Sequence, residues 1–215
     1  MRRSLYCLLI GSLGAVALAP VMLAQTVEQT VEETQERFAA WVADVNEFVG
    51  DVRFDEGDLR SLLDNWDYFS VIGENLKKDS EEGSEEMPDF GEILEDEDYR
   101  RWASQAGVDP EDWLRKSMRI FATMMRGQVL TNMALAEEQI PKQMEMIEGQ
   151  RSQLGDEMYQ QMKQAMDMTL VTMKNMTETA GRLPQPTDPE EELLNKHNAE
   201  LLAVMMDDED KNGDR

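Results

Sequence analysis

Apolar residues recur at intervals of three and four along most of the chain, which is the spacing of an amphipathic α-helix. The first such run begins at Val27 and stops before Gly50, a residue suited to a helix C-terminus. A second run follows Asp58, which we interpret as a helix N-cap. Its last apolar position is Phe69, and the helix is expected to end near Gly73. Alternating patterns typical of strands are scarce. The spacing therefore predicts an all-α fold.

Two helix starts in the second half of the chain share the sequence D-P-E. Asp109 is predicted to cap the first of them, with Pro110 at the first helical position and acidic residues in the first turn. Asp188 is interpreted as the cap of the last helix in the same way. The residues after Trp113 are apolar over a wide arc, which predicts a central helix covered on more than one side.

Glycine, proline and acidic runs predict where this helical pattern is interrupted. Pro141 is expected to end or kink the central helix, with further breaks at Gly149 and Gly155. Residues 77–98 read KKDSEEGSEEMPDFGEILEDED, and we predict an acidic loop there with one helical turn at 90–94. The sum is an irregular helical bundle of roughly five to seven helices in a single domain, residues 25–206, followed by a disordered acidic tail, 207–215.

The N-terminus has the order of a secretory signal peptide. Two arginines precede an apolar run at 5–19, and a small residue, Ala24, precedes the expected cut. We therefore predict a signal peptide over residues 1–24 and a periplasmic or secreted mature protein. An uncleaved membrane anchor is the alternative, and no second apolar run reaches membrane length.

Charge and cysteine content exclude several classes of function. The formal net charge is -24, and removing the signal peptide makes it about -26, which repels nucleic acid and favours cationic partners. The only cysteine, Cys7, leaves with the signal peptide, and one histidine, His197, remains. Disulfides, a thiol nucleophile and mechanisms that need two histidines are thereby excluded.

The segment EMYQQMKQAMDMTLVTMKNM is dense in methionine. Its residues Met158, Met162, Met166, Met173 and Met176 fall within about an 80° arc of one helix, with charged and amide side chains opposite. We interpret this methionine row as a packing face, since methionine fills irregular gaps. The alternatives are an adaptable groove for a partner helix and a soft-metal site for copper(I), which needs three or four converging sulfurs.

No other motif indicates catalysis. His197 lies among apolar residues and is interpreted as a partly buried structural histidine. The C-terminal DEDKNGDR resembles the first half of a calcium loop without its final glutamate, and we interpret it as a solvated tail. Glycine-rich phosphate loops, nucleophile elbows and dinucleotide fingerprints are missing from the sequence.

Three segments carry a family resemblance: WDYFSVIGENL, DYRRWASQAGVDPEDWLRKSMRIFATMM and NKHNAELLAVM. They resemble recurring segments of uncharacterised secreted helical proteins of Gram-negative bacteria, which implies a periplasmic location and a helical fold but no activity or site residues. We therefore predict an exported protein that is not an enzyme, holds no cofactor and binds another protein or peptide. The alternative function is periplasmic copper binding through the methionine row.

Overall fold

The computed structural model describes residues 24–66, 68–69 and 89–211. The predicted signal peptide lies outside these residues except for Ala24, and so does most of the predicted acidic loop. The fold is all-α, as predicted, and no strand occurs in the described residues. The helices are α1 (Ala24–Val49), α2 (Glu56–Asp64), α3 (Phe90–Glu95), α4 (Glu97–Ala106), α5 (Pro110–Gly149), the single turn α6 (Arg151–Leu154), α7 (Asp156–Ala180) and α8 (Asp188–Lys211).

Glycines lie at several helix ends, and Gly50 ends α1 as the sequence predicts. Gly50 and Gly107 follow α1 and α4 with φ values of 53° and 70°, a left-handed conformation that costs glycine little. A side chain at Gly50 would also meet the Arg115 guanidinium, because a Cβ added there would lie 3.1 Å from Nη2. Gly149 ends α5 and Gly155 precedes α7, which confirms both predicted breaks. Pro141, in contrast, does not end α5, since the helix continues through it.

Two predicted N-caps are displaced toward the N-terminus. Asp55, not Asp58, caps α2, and the Asp55 backbone N–H donates a hydrogen bond to the Asp58 carboxylate at 2.9 Å. Thr187, not Asp188, precedes α8, because its carbonyl accepts the first helical bond from Glu191 at 2.9 Å. In both cases the backbone N–H of the cap residue donates to the carboxylate three residues later, Asp58 or Glu190, and at Asp55 this bond completes a reciprocal capping box. Asp109 caps α5 as predicted and accepts from the Asp112 N–H at 2.8 Å.

Helical structure extends into both regions that the sequence predicts to be irregular. The expected turn at 90–94 is helix α3, and α4 already begins at Glu97, inside the predicted loop of residues 77–98. At the other end α8 continues to Lys211, so residues 207–211 are helical and not a disordered tail. The last residues of the calcium-loop resemblance, 212–215, lie outside the described residues.

The chain divides into two compact units. Unit 1 contains the described residues up to Ala39 and Leu130–Thr179, and unit 2 contains Ala40–Val129 and the described residues from Ala180 onward. The apolar residues buried in unit 1 are Phe38, Met133, Ile140, Tyr159 and Met173. Those buried in unit 2 are more numerous and include Trp41, Val45, Val49, Leu59, Leu62, Trp66, Tyr99, Trp113, Leu114, Ile120 and Leu201.

Aromatic rings fill one part of unit 2. Trp102 stacks on Tyr68 with ring centroids 4.5 Å apart, and it also contacts Trp113 at 4.6 Å. Phe69 contacts Trp113 at 6.0 Å. Two polar groups in this part of unit 2 are hydrogen-bonded. The Trp113 indole N–H donates to the Ser61 hydroxyl at 3.0 Å, and the hydroxyl of Tyr99, whose ring stacks on Trp102, donates to the Pro110 carbonyl at 2.5 Å. Burial accordingly raises the pKa of Tyr99.

A buried ion pair fixes the start of α8 within unit 2. The Arg119 guanidinium donates to both Glu190 oxygens, at 2.6 and 2.8 Å, and each side chain is at most 3% accessible. Glu190 also accepts from the Thr187 backbone and hydroxyl and from the Phe54 N–H. Burial alone would raise the pKa of Glu190, but Arg119 and Thr187 outweigh it and lower the pKa to about 2.

Candidate binding surface

The start of α7 is fixed by local contacts in unit 1. Gly155, at φ 80°, allows the chain to turn out of α6, and its carbonyl accepts the first helical hydrogen bond from Tyr159 at 3.1 Å. Arg151 pairs with Asp156 at 2.9 Å, and its guanidinium carbon lies 4.8 Å from the centre of the Tyr159 ring. A cation over an aromatic face is attractive. These contacts lie at the start of the helix that carries the methionine row.

The predicted methionine row is only partly covered. Met173 is 1% exposed, Met162, Met166 and Met176 are half-buried, and Met158 is 47% exposed. In the first turn Tyr159, and not Met158, takes the inward position, with 7% exposure. The covered line of α7 consists of Tyr159, Met162, Met166, Thr169, Met173 and Met176, which repeats at three and four as a packing face does.

The sulfurs of this row are spread along the helix axis. Residues four apart rise about 6 Å along a helix, so Met158 and Met176 are separated by roughly 27 Å of axis. Several sulfurs of α7 alone therefore cannot meet at one ion, and a soft-metal site would need methionines from another helix. The described residues also contain no group of three or more histidine, cysteine, aspartate or glutamate side chains that could hold a metal.

The middle of α7 has an uncharged stretch, MTLVTM, between Asp167 and Lys174. The Thr169 hydroxyl is hydrogen-bonded within the helix, since it donates to the Ala165 carbonyl at 2.9 Å. A helix that is apolar all round is usually covered all round. Here Leu170 is 38% exposed and Val171 is 61% exposed. This stretch therefore leaves apolar surface in contact with water.

Unit 1 carries exposed apolar side chains. Among the residues whose exposure the structure describes, all the large hydrophobic side chains that are exposed lie on the second half of α5 or on α7: Leu135, Met146, Met158, Met168, Leu170 and Val171. We call these six the exposed apolar set. Single exposed apolar residues are normal on a protein surface, and these six all belong to one unit. Half of the set is methionine, a flexible side chain that adapts to partners.

His197, which the sequence predicts to be a partly buried structural histidine, is buried almost completely. It is 2% exposed in unit 2, with Nε2 3.4 Å from Glu56 and Nδ1 3.4 Å from Glu200. Each carboxylate is already paired with a cation, Lys196 or Arg60, at 2.7 Å. The hydrogen bond from Lys196 lowers the pKa of Glu56. This network joins α2 to α8.

The Arg119–Glu190 pair is the main feature that sequence reasoning missed. Its sequence signal is T-x-x-E at Thr187 and Glu190, which is a capping box. Its partner Arg119, however, lies 71 residues earlier in the sequence, where the adjacent residues Met118 and Ile120 are apolar. Both Glu190 oxygens and both Nε and Nη2 of Arg119 are engaged with protein groups, so we assign the pair to stability and not to chemistry.

None of the described helices combines the length and the apolar composition that a membrane crossing requires. Comparisons with protein-family models, curated proteins and solved structures found no match for this chain. Its function must therefore be inferred from its own residues.

Proposed function

We propose that this protein is an exported, non-catalytic binding protein that holds another protein or peptide in the periplasm. The observation that carries the proposal is the confinement of the exposed apolar set to α5 and α7 of unit 1. Apolar side chains at the surface gain free energy when a partner covers them, at about 25 cal/mol per Å². Unit 2 would then serve as the stable scaffold of the same chain.

The chemistry of the partner follows from charge and from methionine. The chain carries a net charge of -24, so a partner with basic residues beside its apolar ones would be attracted from a distance and oriented on arrival. Met146 and Met158 are exposed by 60% and 47% and are unbranched, so they adapt to partners of different shape. We therefore expect a cationic amphipathic segment, with affinity that falls as salt increases.

Photo-crosslinking in the producing cells tests this proposal. A photoreactive amino acid is placed at Met146 or Met158, and as a matched control at Ser104, an exposed residue of α4 in unit 2. We expect one discrete adduct from the unit 1 positions and none from Ser104. Equal adducts from all three positions, or none at all, would contradict partner binding through unit 1.

A further inference from the structure

The outer side of α7 carries four charged residues whose positions are symmetric about one point of the helix, with opposite charges at matching positions. Lys163, Asp167, Lys174 and Glu178 are all exposed, and together with Leu170 and Val171 they lie within about a 100° arc of the helix. Their charges cancel, on a chain whose net charge is -24. None of the four forms an ion pair with another residue in the part of the chain that the structure describes. We call these six residues the α7 outer face.

The order of the charges has a centre between Leu170 and Val171. Asp167 and Lys174 are equally far from that centre, and so are Lys163 and Glu178. If a second copy of α7 is laid antiparallel across this point, Asp167 of each copy faces Lys174 of the other, and Lys163 faces Glu178. A parallel second copy would instead place like charges opposite each other, which costs free energy.

We propose that a second copy of this chain covers the α7 outer face, by antiparallel pairing of the two α7 helices about a twofold axis. A twofold interface uses the same patch on both subunits and must be self-complementary, which the charge order satisfies. Leu170 and Val171 supply the apolar centre, and the charged residues flank it over about 22 Å of helix. This face excludes Leu135, Met146 and Met158, so the inference goes beyond the partner binding proposed above.

Charge-reversal variants test the pairing. The full chain is purified, and its mass in solution is measured by sedimentation velocity over a range of concentrations. Asp167→Lys places lysine against Lys174 of the other copy, and Lys174→Asp places two aspartates together. We expect each single variant to raise the dimer dissociation constant at least about tenfold. The double variant D167K/K174D restores opposite charges and should recover the dimer.

Mixing the two single variants gives the sharpest result. The Asp167→Lys chain and the Lys174→Asp chain have complementary faces, so their mixture should form a heterodimer although each variant alone is monomeric. Glu157→Lys is the control, because it makes the same change in net charge as Asp167→Lys at an exposed position of α7 outside the face. General charge repulsion would make both substitutions favour association, whereas the pairing predicts that only Asp167→Lys weakens it.

Circular dichroism of each variant establishes that the helices are intact before the masses are compared. A wild-type chain that stays monomeric at every concentration would overturn the proposal. So would a mixture of the two single variants that shows no heterodimer. A dimer that responds to Glu157→Lys as it does to Asp167→Lys would also overturn it, since the association would then not use this face.

Discussion

Unit 2 and unit 1 are both helical, but they are stabilised in different ways. In unit 2 the described side chains interlock: aromatic rings contact one another, the Trp113 indole and the Tyr99 hydroxyl are hydrogen-bonded, and a buried ion pair holds the start of α8. In unit 1 the side-chain hydrogen bond that joins α7 to α1, from Asn175 to Gln35, is long at 3.4 Å and exposed to solvent. Directional contacts such as hydrogen bonds and ion pairs specify one packing of the helices, whereas a face lined with methionine tolerates several packings.

The difference suggests that the two units of the chain have different roles. A fixed unit gives the protein its stability without disulfides, and an adaptable unit leaves apolar side chains free to meet a partner. The tryptophans make the two units separately observable, because all four of them, Trp41, Trp66, Trp102 and Trp113, belong to unit 2. Tryptophan fluorescence therefore reports on unit 2, and far-ultraviolet circular dichroism reports on the helices of both units.

The largest expected effect is on the ion pair of unit 2. Arg119→Ala leaves Glu190 charged and buried, which should lower the free energy of unfolding by about 3–5 kcal/mol. Urea unfolding followed by tryptophan fluorescence measures the change. The double variant Arg119→Met with Glu190→Leu removes both charges and should be more stable than Arg119→Ala. A single variant as stable as the wild type would show that the pair does not hold unit 2.

A matched pair of leucines compares the two units directly. Leu59 in unit 2 is fully buried, whereas Leu135 in unit 1 is 54% exposed. Leu59→Ala should cost about 2–5 kcal/mol, since it removes buried apolar surface and leaves a cavity. Leu135→Ala should change the free energy of unfolding by less than about 0.5 kcal/mol. If urea unfolding shows that Leu59→Ala and Leu135→Ala lower the free energy of unfolding equally, Leu135 is part of a core.

Acid should weaken unit 2 through Glu190. The pKa of this carboxyl falls from its ordinary 4.5 to about 2 on folding, so its contribution is complete above about pH 4.5 and is lost as the pH falls toward 2. A shift of this size corresponds to roughly 3 kcal/mol. The control is Glu190→Gln, which cannot titrate. The stability difference between wild type and this variant should shrink over that pH range, and a constant difference would contradict the assignment.

The first part of the methionine row should tolerate substitution. Changing Met158, Met162 and Met166 to leucine keeps side-chain volume, so each change should cost less than about 1.5 kcal/mol by circular dichroism melting. Copper(I) titration of wild type and variant distinguishes packing from metal binding. If the wild type binds copper(I) tightly and the triple variant does not, the soft-metal alternative is correct and the packing interpretation is wrong.

The smallest effect on stability is expected at an exposed methionine. Met146→Gln should leave the free energy of unfolding within about 0.5 kcal/mol of wild type, because the side chain is 60% exposed. The same change should weaken the capture of a partner, since it removes apolar surface from unit 1. Unchanged partner capture in a pull-down, with folding intact, would exclude Met146 from the binding surface.

Local signals in the sequence predict much of the fold. Glycines at 50, 149 and 155 end or separate helices as expected, and Asp109 caps α5 as expected, because these effects act within one turn of the chain. The caps at Asp55 and Thr187 are harder to predict because a nearby aspartate, Asp58 or Asp188, also fits. The choice is decided by the hydrogen bond from the cap's backbone N–H to the carboxylate three residues later.

Features that depend on tertiary contacts could not be predicted in this way. The partner of Glu190 lies on α5, and nothing in the neighbourhood of Arg119 indicates that pairing. The periodicity of α7 indicates its covered face and correctly includes Met173, but Met158 is exposed because Tyr159 takes the inward position at the helix start. The exposure of Leu170 and Val171 follows from what packs around α7, which periodicity does not reveal.

Hydrogen exchange resolved by peptide mass spectrometry tests the central claim most directly, namely that unit 2 is fixed and unit 1 is adaptable. Amides in the buried part of α5, residues 113–125, should exchange only when the protein unfolds globally. Amides of α7 at 160–178 should exchange at least about 100-fold faster through local opening, and a bound partner should slow them. Equal protection of these two stretches in the free protein would contradict the division between a fixed unit and an adaptable one.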